Sequence, residues 1–361
     1  MMIDFLPSGF LINSPRKMQE ADKLESSFML RAVRVKNTAG KTTRLTEYVF
    51  DIKIKGTSHK QVCYPEEIIS NRSASLKEAF NKYNLSTVMG TNSFWQKNRL
   101  SSSNILEPGQ ETGFLNEHFT FLARDLHPVD ELFFTVNYVI DGRKMSDKMC
   151  IPVRQYDNKN SYIFPVKGSW MVVGNWDDID GHRSAYSQEF AFDLDQLDED
   201  LQVKFDRTRP NEEYRCHGEE IIAIADGTVV DCFDQIPENP GSCTGLPKDQ
   251  FKELAGKYGA TAVFIGNYVV LEHQDGEYSF YGHLITGSLK VKKGDKVKEG
   301  QVLGNVGNSG NSDGPHLHFQ LMDGPSLMTA RGLPCYFTNI VNHYGKHVEL
   351  IDRSRSIIHT V

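Results

Sequence analysis

No stretch of the 361 residues stays apolar for long enough to span a bilayer, so no transmembrane segment is expected. The opening MMIDFLPSGFLINSPRKMQEADK has its apolar run broken by Pro7, Ser8 and Gly9 and lacks a basic lead. It does not read as a secretory signal, so the chain is expected to stay inside or to carry an export signal that is removed or unconventional. The net charge of -7 and the pI near 6.0 come without a basic stripe, and no nucleic-acid partner is expected. The six cysteines, Cys63, Cys150, Cys216, Cys232, Cys243 and Cys335, form no CxxC pair, which argues against a cysteine zinc site. They read as small buried or part-buried thiols. Cys232 and Cys243 flank a Pro/Gly-rich loop and could form a disulfide, which sequence alone does not show. Internal repeats, low-complexity tracts and a strand–helix–strand rhythm are also missing, which leaves little room for a solenoid, a linker-rich chain or a parallel sheet.

What is present is strand material. Glycine, at 29 residues, outnumbers proline, at 14, and aromatic residues reach 11%. The length exceeds what one core usually supports, so two domains are expected. Residues 1–27 are mixed and read as a lead-in. From Phe28 the segments FMLRAVRVKN, TTRLTEYVFDIKIKG, HFTFLARDL, ELFFTVNYVIDG and KMCIPVRQY alternate apolar and polar residues, the mark of half-buried strands. One helix is expected near residues 74–85, where apolar residues fall at helical spacing. Together these predict a β-sandwich-like domain over 28–165, with no residue cluster that suggests catalysis. A second, antiparallel domain is expected over 166–361 from SYIFPV, FAFDLD, EIIAIADGTVVDCF, TAVFIGNYVVLEH, YSFYGHL and KVKEGQVLGNVG. A long insert from about 234 to 262 holds KDQFKELAGKYG, which reads as a short helix.

The chemistry concentrates in histidines. In PHLHF, His316 and His318 project from one strand face, with Leu317 on the other. Such a pair suits metal ligation, or ligation by one ring and proton handling by the other; alone, it is as readily a hydrogen-bonded surface pair. His283 lies on another strand, YSFYGHL, where Tyr281 is expected on the same face as a packed aromatic. His273, ending VLEH, reads as structural. Asp193 interrupts the apolar alternation of FAFDLD, and a buried carboxylate needs a partner such as a metal. His182 lies just upstream. Two histidines and one aspartate around zinc leave an open position for water.

The stretch from about 218 to 322 resembles the lysostaphin-type zinc metallopeptidases, which include the LytM-like cell-wall endopeptidases. AIADGTVV, GNYVVLEHQDGEYSFYGHL, VKKGDKVKEGQVLGNVGNSGNSDGPHLHFQL and the upstream FAFDLD carry the resemblance. It implies a mainly β chain whose C-terminal domain is an antiparallel zinc peptidase of the duplicated hybrid motif type. One Zn2+ per chain is implied, with Asp193 and His318 as ligands and His283 and His316 as the histidines that stabilise the transition state and move protons. The implied substrate is a peptide of peptidoglycan, and the implied location is the cell envelope or the exterior. The usual first ligand lies four residues before the aspartate, where this chain has Glu189. His182 is ranked first for that role, ahead of Glu189 and His217. Asp313 and Gln320 stand where threonine and glutamate are common. Two rival readings are a non-catalytic relative that binds or regulates a cell-wall partner, and a biotinyl- or lipoyl-type carrier. The carrier would need a lysine flanked by methionines at a hairpin tip, and this part of the chain has none.

Overall fold

The computed structural model describes residues 1–17, 23–82, 90–123, 127–177, 181–197, 209–242 and 244–361. It separates into two compact units, Met1–Asp157 and Asn158–Val361. Both are mainly β, as the alternation predicts.

The first unit contains β1 (Met2–Leu6), β2 (Leu11–Ile12), β3 (Arg16–Lys17), β4 (Leu24–Lys36), β5 (Thr43–Ile54) and β6 (Thr57–Pro65). Helix α1 (Glu66–Lys82) follows, then β7 (Ile105–Leu106), β8 (Glu111–Ala123), β9 (Glu131–Ile140) and β10 (Arg143–Arg154). One sheet has four strands, β1-β4-β3 with β8 on β4. The other has six, β2-β10-β9-β5-β6 with β7 on β5. The inward residues of the two sheets share one core, and Phe50 of β5 lies 5.1 Å from Phe119 and 5.8 Å from Phe114 of β8. This is the sandwich-like arrangement expected. Residues 1–17 are not a free lead-in, because β1 runs antiparallel to β4 and β2 runs parallel to β10. α1 begins at Glu66, well before the expected start; its first turn carries Glu66 and Glu67, where acidic groups suit the helix dipole. The expected residues 83–85 lie outside the described residues.

The second unit starts earlier than the 165/166 boundary read from sequence. Asn158, Lys159, Asn160 and Tyr162 all donate hydrogen bonds to the buried Glu277 carboxylate, which anchors residues 158–162 here. Its strands are β11 (Ser169–Gly174), β12 (Phe192–Asp195), β13 (Glu220–Ile222), β14 (Gly227–Phe233), β15 (Tyr268–Glu272) and β16 (Tyr278–Gly282). They continue with β17 (Lys296–Val297), β18 (Val302–Asn305), β19 (Leu317–Met322), β20 (Gly332–Leu333), β21 (Ile340–Asn342) and β22 (Ile357–Thr360). Ten form one antiparallel sheet, β17-β14-β15-β16-β19-β12-β11-β22-β21 with β20 on β19, while β13 and β18 pair separately. One face of the large sheet packs Phe192, Phe319 and Tyr281 against Phe164 and Phe337.

Two expected strands are not formed. SYIFPV contributes only an isolated bridge at Tyr162. Helix α2 (Lys248–Tyr258) is where the sequence places one, but TAVFI forms helix α3 (Ala260–Ile265) and not a strand. Gly259 and Gly266, at φ 88° and 79°, bracket it, so a short apolar run takes its conformation from its turns. Among the described residues no helix is long and apolar enough to cross a membrane. Cys63 and Cys150 are exposed, contrary to the buried or part-buried reading; Cys216 and Cys335 are buried. Cys232 is a free thiol, and Cys243, its expected partner, lies outside the described residues.

Candidate metal centre

The site grows from one row across the large sheet. Asp193 of β12 pairs directly with His318 of β19. On the outer sides of this pair, Gly174 of β11 stands opposite Asp193 and Gly282 of β16 stands opposite His318. Strand alternation sends Phe192, Leu194, Leu317 and Phe319 into the core and leaves Asp193 and His318 on the opposite face. The flanking glycines keep this face open. A Cβ at Gly174 would lie 2.7 Å from Asp193 Oδ2 and 3.2 Å from His182 Cε1.

His182 enters this space from a 3-10 turn, His182–Ser184, rather than from a strand. Its Nε2 lies 3.2 Å from Asp193 Oδ2, and His318 Nδ1 lies 2.8 Å from Asp193 Oδ1. Candidate ligand atoms of His182, Asp193 and His318 all fall within 4.8 Å of one another. This two-imidazole, one-carboxylate donor set suits a zinc ion. The neighbouring Arg183 is buried and holds the turn down, its guanidinium 5.3 Å from the Trp176 ring. Burial lowers the Arg183 pKa to about 10, opposed by the charge of Glu189.

The two rival first ligands are placed elsewhere. Glu189 is not a solvated strand residue: it is buried, follows the 3-10 turn Tyr186–Gln188, and faces Arg183 electrostatically. His217 lies 3.0 Å from Glu238 Oε1. Neither belongs to the His182–Asp193–His318 group.

His316 and His283 complete the constellation. His316 Nε2 is 3.6 Å from Asp193 Oδ1, and its Nδ1 meets the Gly314 carbonyl at 2.7 Å. The His283 ring centroid lies 4.8 Å from that of His316 and 5.8 Å from that of His318. Its Nδ1 meets the Ser309 carbonyl at 2.7 Å. A backbone carbonyl only accepts, so in both rings Nδ1 carries a proton and Nε2 is the nitrogen left for other contacts. Burial, then the charges of His316 and His318, hold the His283 pKa well below 6.5. For Asp193, burial acts upward, but the neighbouring His182 and His316 rings, with a smaller effect from His318, hold its pKa well below 3.8.

His283 does not share a face with Tyr281. It has φ 66°, in the left-handed region, just after β16 ends. The reversal breaks the alternation, so Tyr281 points into the core, where its hydroxyl accepts from Ile224 N, while His283 turns to His316 and His318. The unfavourable backbone is held at the next residue. Leu284 N donates to Asn267 O, and Leu284 O accepts from Asn267 Nδ2 and Ser309 Oγ. His273 is structural as expected, its ring bonded to Asp226 O and Ser279 Oγ. Sequence reasoning missed Gly174, Arg183, Asn267 and Ser309. Of these, only Gly174 left a signal, a glycine ending an apolar strand.

Residues 254–329 match Peptidase family M23. The chain carries an M23 peptidase domain. The matched stretch includes His283, His316 and His318, while His182 and Asp193 precede it. Over 59 residues the chain is 46% identical to the peptidoglycan DD-endopeptidase ShyA of Vibrio cholerae, which is 16% of this chain and 13% of that protein. Over 58 residues it is 47% identical to lysostaphin of Staphylococcus staphylolyticus, which is 16% of this chain and 12% of that protein. The alignments thus span about an eighth of these relatives. A solved zinc-containing peptidase from Vibrio cholerae aligns over 90% of this chain and 86% of its own, at 14% identity and a TM-score of 0.29.

Proposed function

We propose that the second unit is a zinc-dependent endopeptidase acting on the peptide part of peptidoglycan. The observation that carries this reading is the meeting of His182, Asp193 and His318 beside two further imidazoles, His283 and His316, that are anchored through Nδ1. The M23 match and the names of the relatives support the substrate class.

His182, Asp193 and His318 would hold one zinc per chain. Zinc supplies a Lewis acid that polarises a carbonyl and makes water acidic near neutral pH. The chain's own residues do the rest. A depressed pKa keeps His283 neutral, so its Nε2 is ready to take a proton. His316 offers a second basic Nε2 next to Asp193. Once either ring is protonated it becomes a donor, able to stabilise an oxyanion or to return the proton to a leaving amine. Asp193, held ionised, supplies the negative charge that a dication requires.

Digestion of purified peptidoglycan, read by mass spectrometry of released fragments, tests the reading. Cleaved peptide bonds that disappear with a chelator and return with zinc are expected. A zinc-loaded chain that releases no fragments would instead make this a non-catalytic binder.

A further inference from the structure

Gln320 is buried beside the site, two residues after His318 on the same strand face. Its Nε2 donates to the Ser187 carbonyl at 2.9 Å. That carbonyl has no proton to give, so it fixes which end of the amide faces it. Oε1 is therefore turned toward His318 Nε2, at 2.9 Å. An amide oxygen only accepts, so His318 must carry its proton on Nε2. The neutral ring then presents a lone pair at Nδ1, aimed at Asp193 Oδ1 only 2.8 Å away. Two acceptors so close call for a positive charge between them, a metal ion or a second ring proton. Ser187 lies between His182 and Asp193 in the chain, so the same amide touches the segment that brings the other two donors.

We propose that Gln320 is a positioning residue: anchored on the Ser187 carbonyl, it locks the His318 tautomer that ligates metal and ties β19 to the segment carrying His182. The proposal rests on the zinc reading above. It requires an amide and not a carboxylate. Glutamate would still accept from His318 but would set its second oxygen against the Ser187 carbonyl.

The test compares full-length wild type with Gln320→Glu and Gln320→Met. Zinc affinity is measured by chelator competition, and the fold is checked by thermal melting of the metal-free forms. Both variants should bind zinc about 10- to 100-fold more weakly, glutamate included. Zinc binding by Gln320→Glu within about twofold of wild type would overturn the proposal, because the Ser187 contact would then be idle. Should either variant melt early, long-range 15N–1H spectra of wild type at alkaline pH decide. His318 is expected as the Nε2–H tautomer with or without zinc, and the Nδ1–H tautomer overturns the proposal. A wild type that binds zinc but cleaves nothing sinks the peptidase reading while the titration still judges Gln320. A wild type that takes up no zinc sinks the metal reading, and the tautomer alone judges Gln320.

Discussion

At Gly174 a methyl group would reach 2.7 Å from Asp193 Oδ2 and 3.2 Å from the His182 ring. Its φ lies outside the left-handed region, so an added side chain strains the site rather than the backbone. Gly174→Ala should therefore weaken zinc binding at least about tenfold while the metal-free protein melts near the wild-type temperature, as chelator competition and calorimetry would show. His283→Gln should keep its zinc yet lose about 100- to 10,000-fold in the rate of peptide release, the usual range for removing a general base. The pair His316 and His318 was legible because a period of two places both on one face, and Asp193 because a charge broke an apolar alternation. The contacts that aim these side chains were not legible. Ser309, Gly314 and Ser187 act through backbone carbonyls or chain geometry, which leave no residue-type signature.

The segment following α3 is packed tightly against the 309–312 loop that anchors His283. A Cβ at Gly266 would meet Ser309 O at 2.5 Å, and Asn311 N donates to Phe264 O. Gly266 also has φ 79°, so Gly266→Ala should destabilise the unit by more than about 1 kcal/mol in urea melts and should lower activity by displacing the Ser309 carbonyl. Acid should act through the elements as well. Burial lowers the pKa of His273 from 6.5, against the smaller upward effects of the Asp226 carbonyl and Glu277, so the unfolded chain takes up the proton first as the pH falls. The stabilisation is whole above 6.5 and drains below it, by up to about 1.4 kcal/mol per pH unit. His283 adds a loss of the same sign. Zinc-free urea melts across this range should show the decline, and His273→Gln should flatten it. A pattern of alternating residues predicted most strands here, but it missed the turn at His283 and the helix at TAVFI. In both places glycines or a left-handed residue override the local period.

Every described residue of the proposed centre, and each described contact supporting it, lies within Asn158–Val361. A fragment covering 158–361 should therefore fold and bind zinc as the full chain does, which thermal melting and metal titration can check. A length beyond one core implies two domains, but the division lies at Asp157/Asn158 and not at 165/166, because the pull of Glu277 on residues 158–162 comes from more than a hundred positions away. The placement of His182 was the least legible feature for the same reason: only the tertiary fold brings its turn over Gly174 and buries Glu189 beside Arg183. Elemental analysis of the purified chain with its His182→Ala and Glu189→Gln variants tests the centre most directly. About one zinc per chain in wild type, lost with His182→Ala and kept with Glu189→Gln, is expected. Zinc retained without His182, or lost only with Glu189, would contradict the assignment.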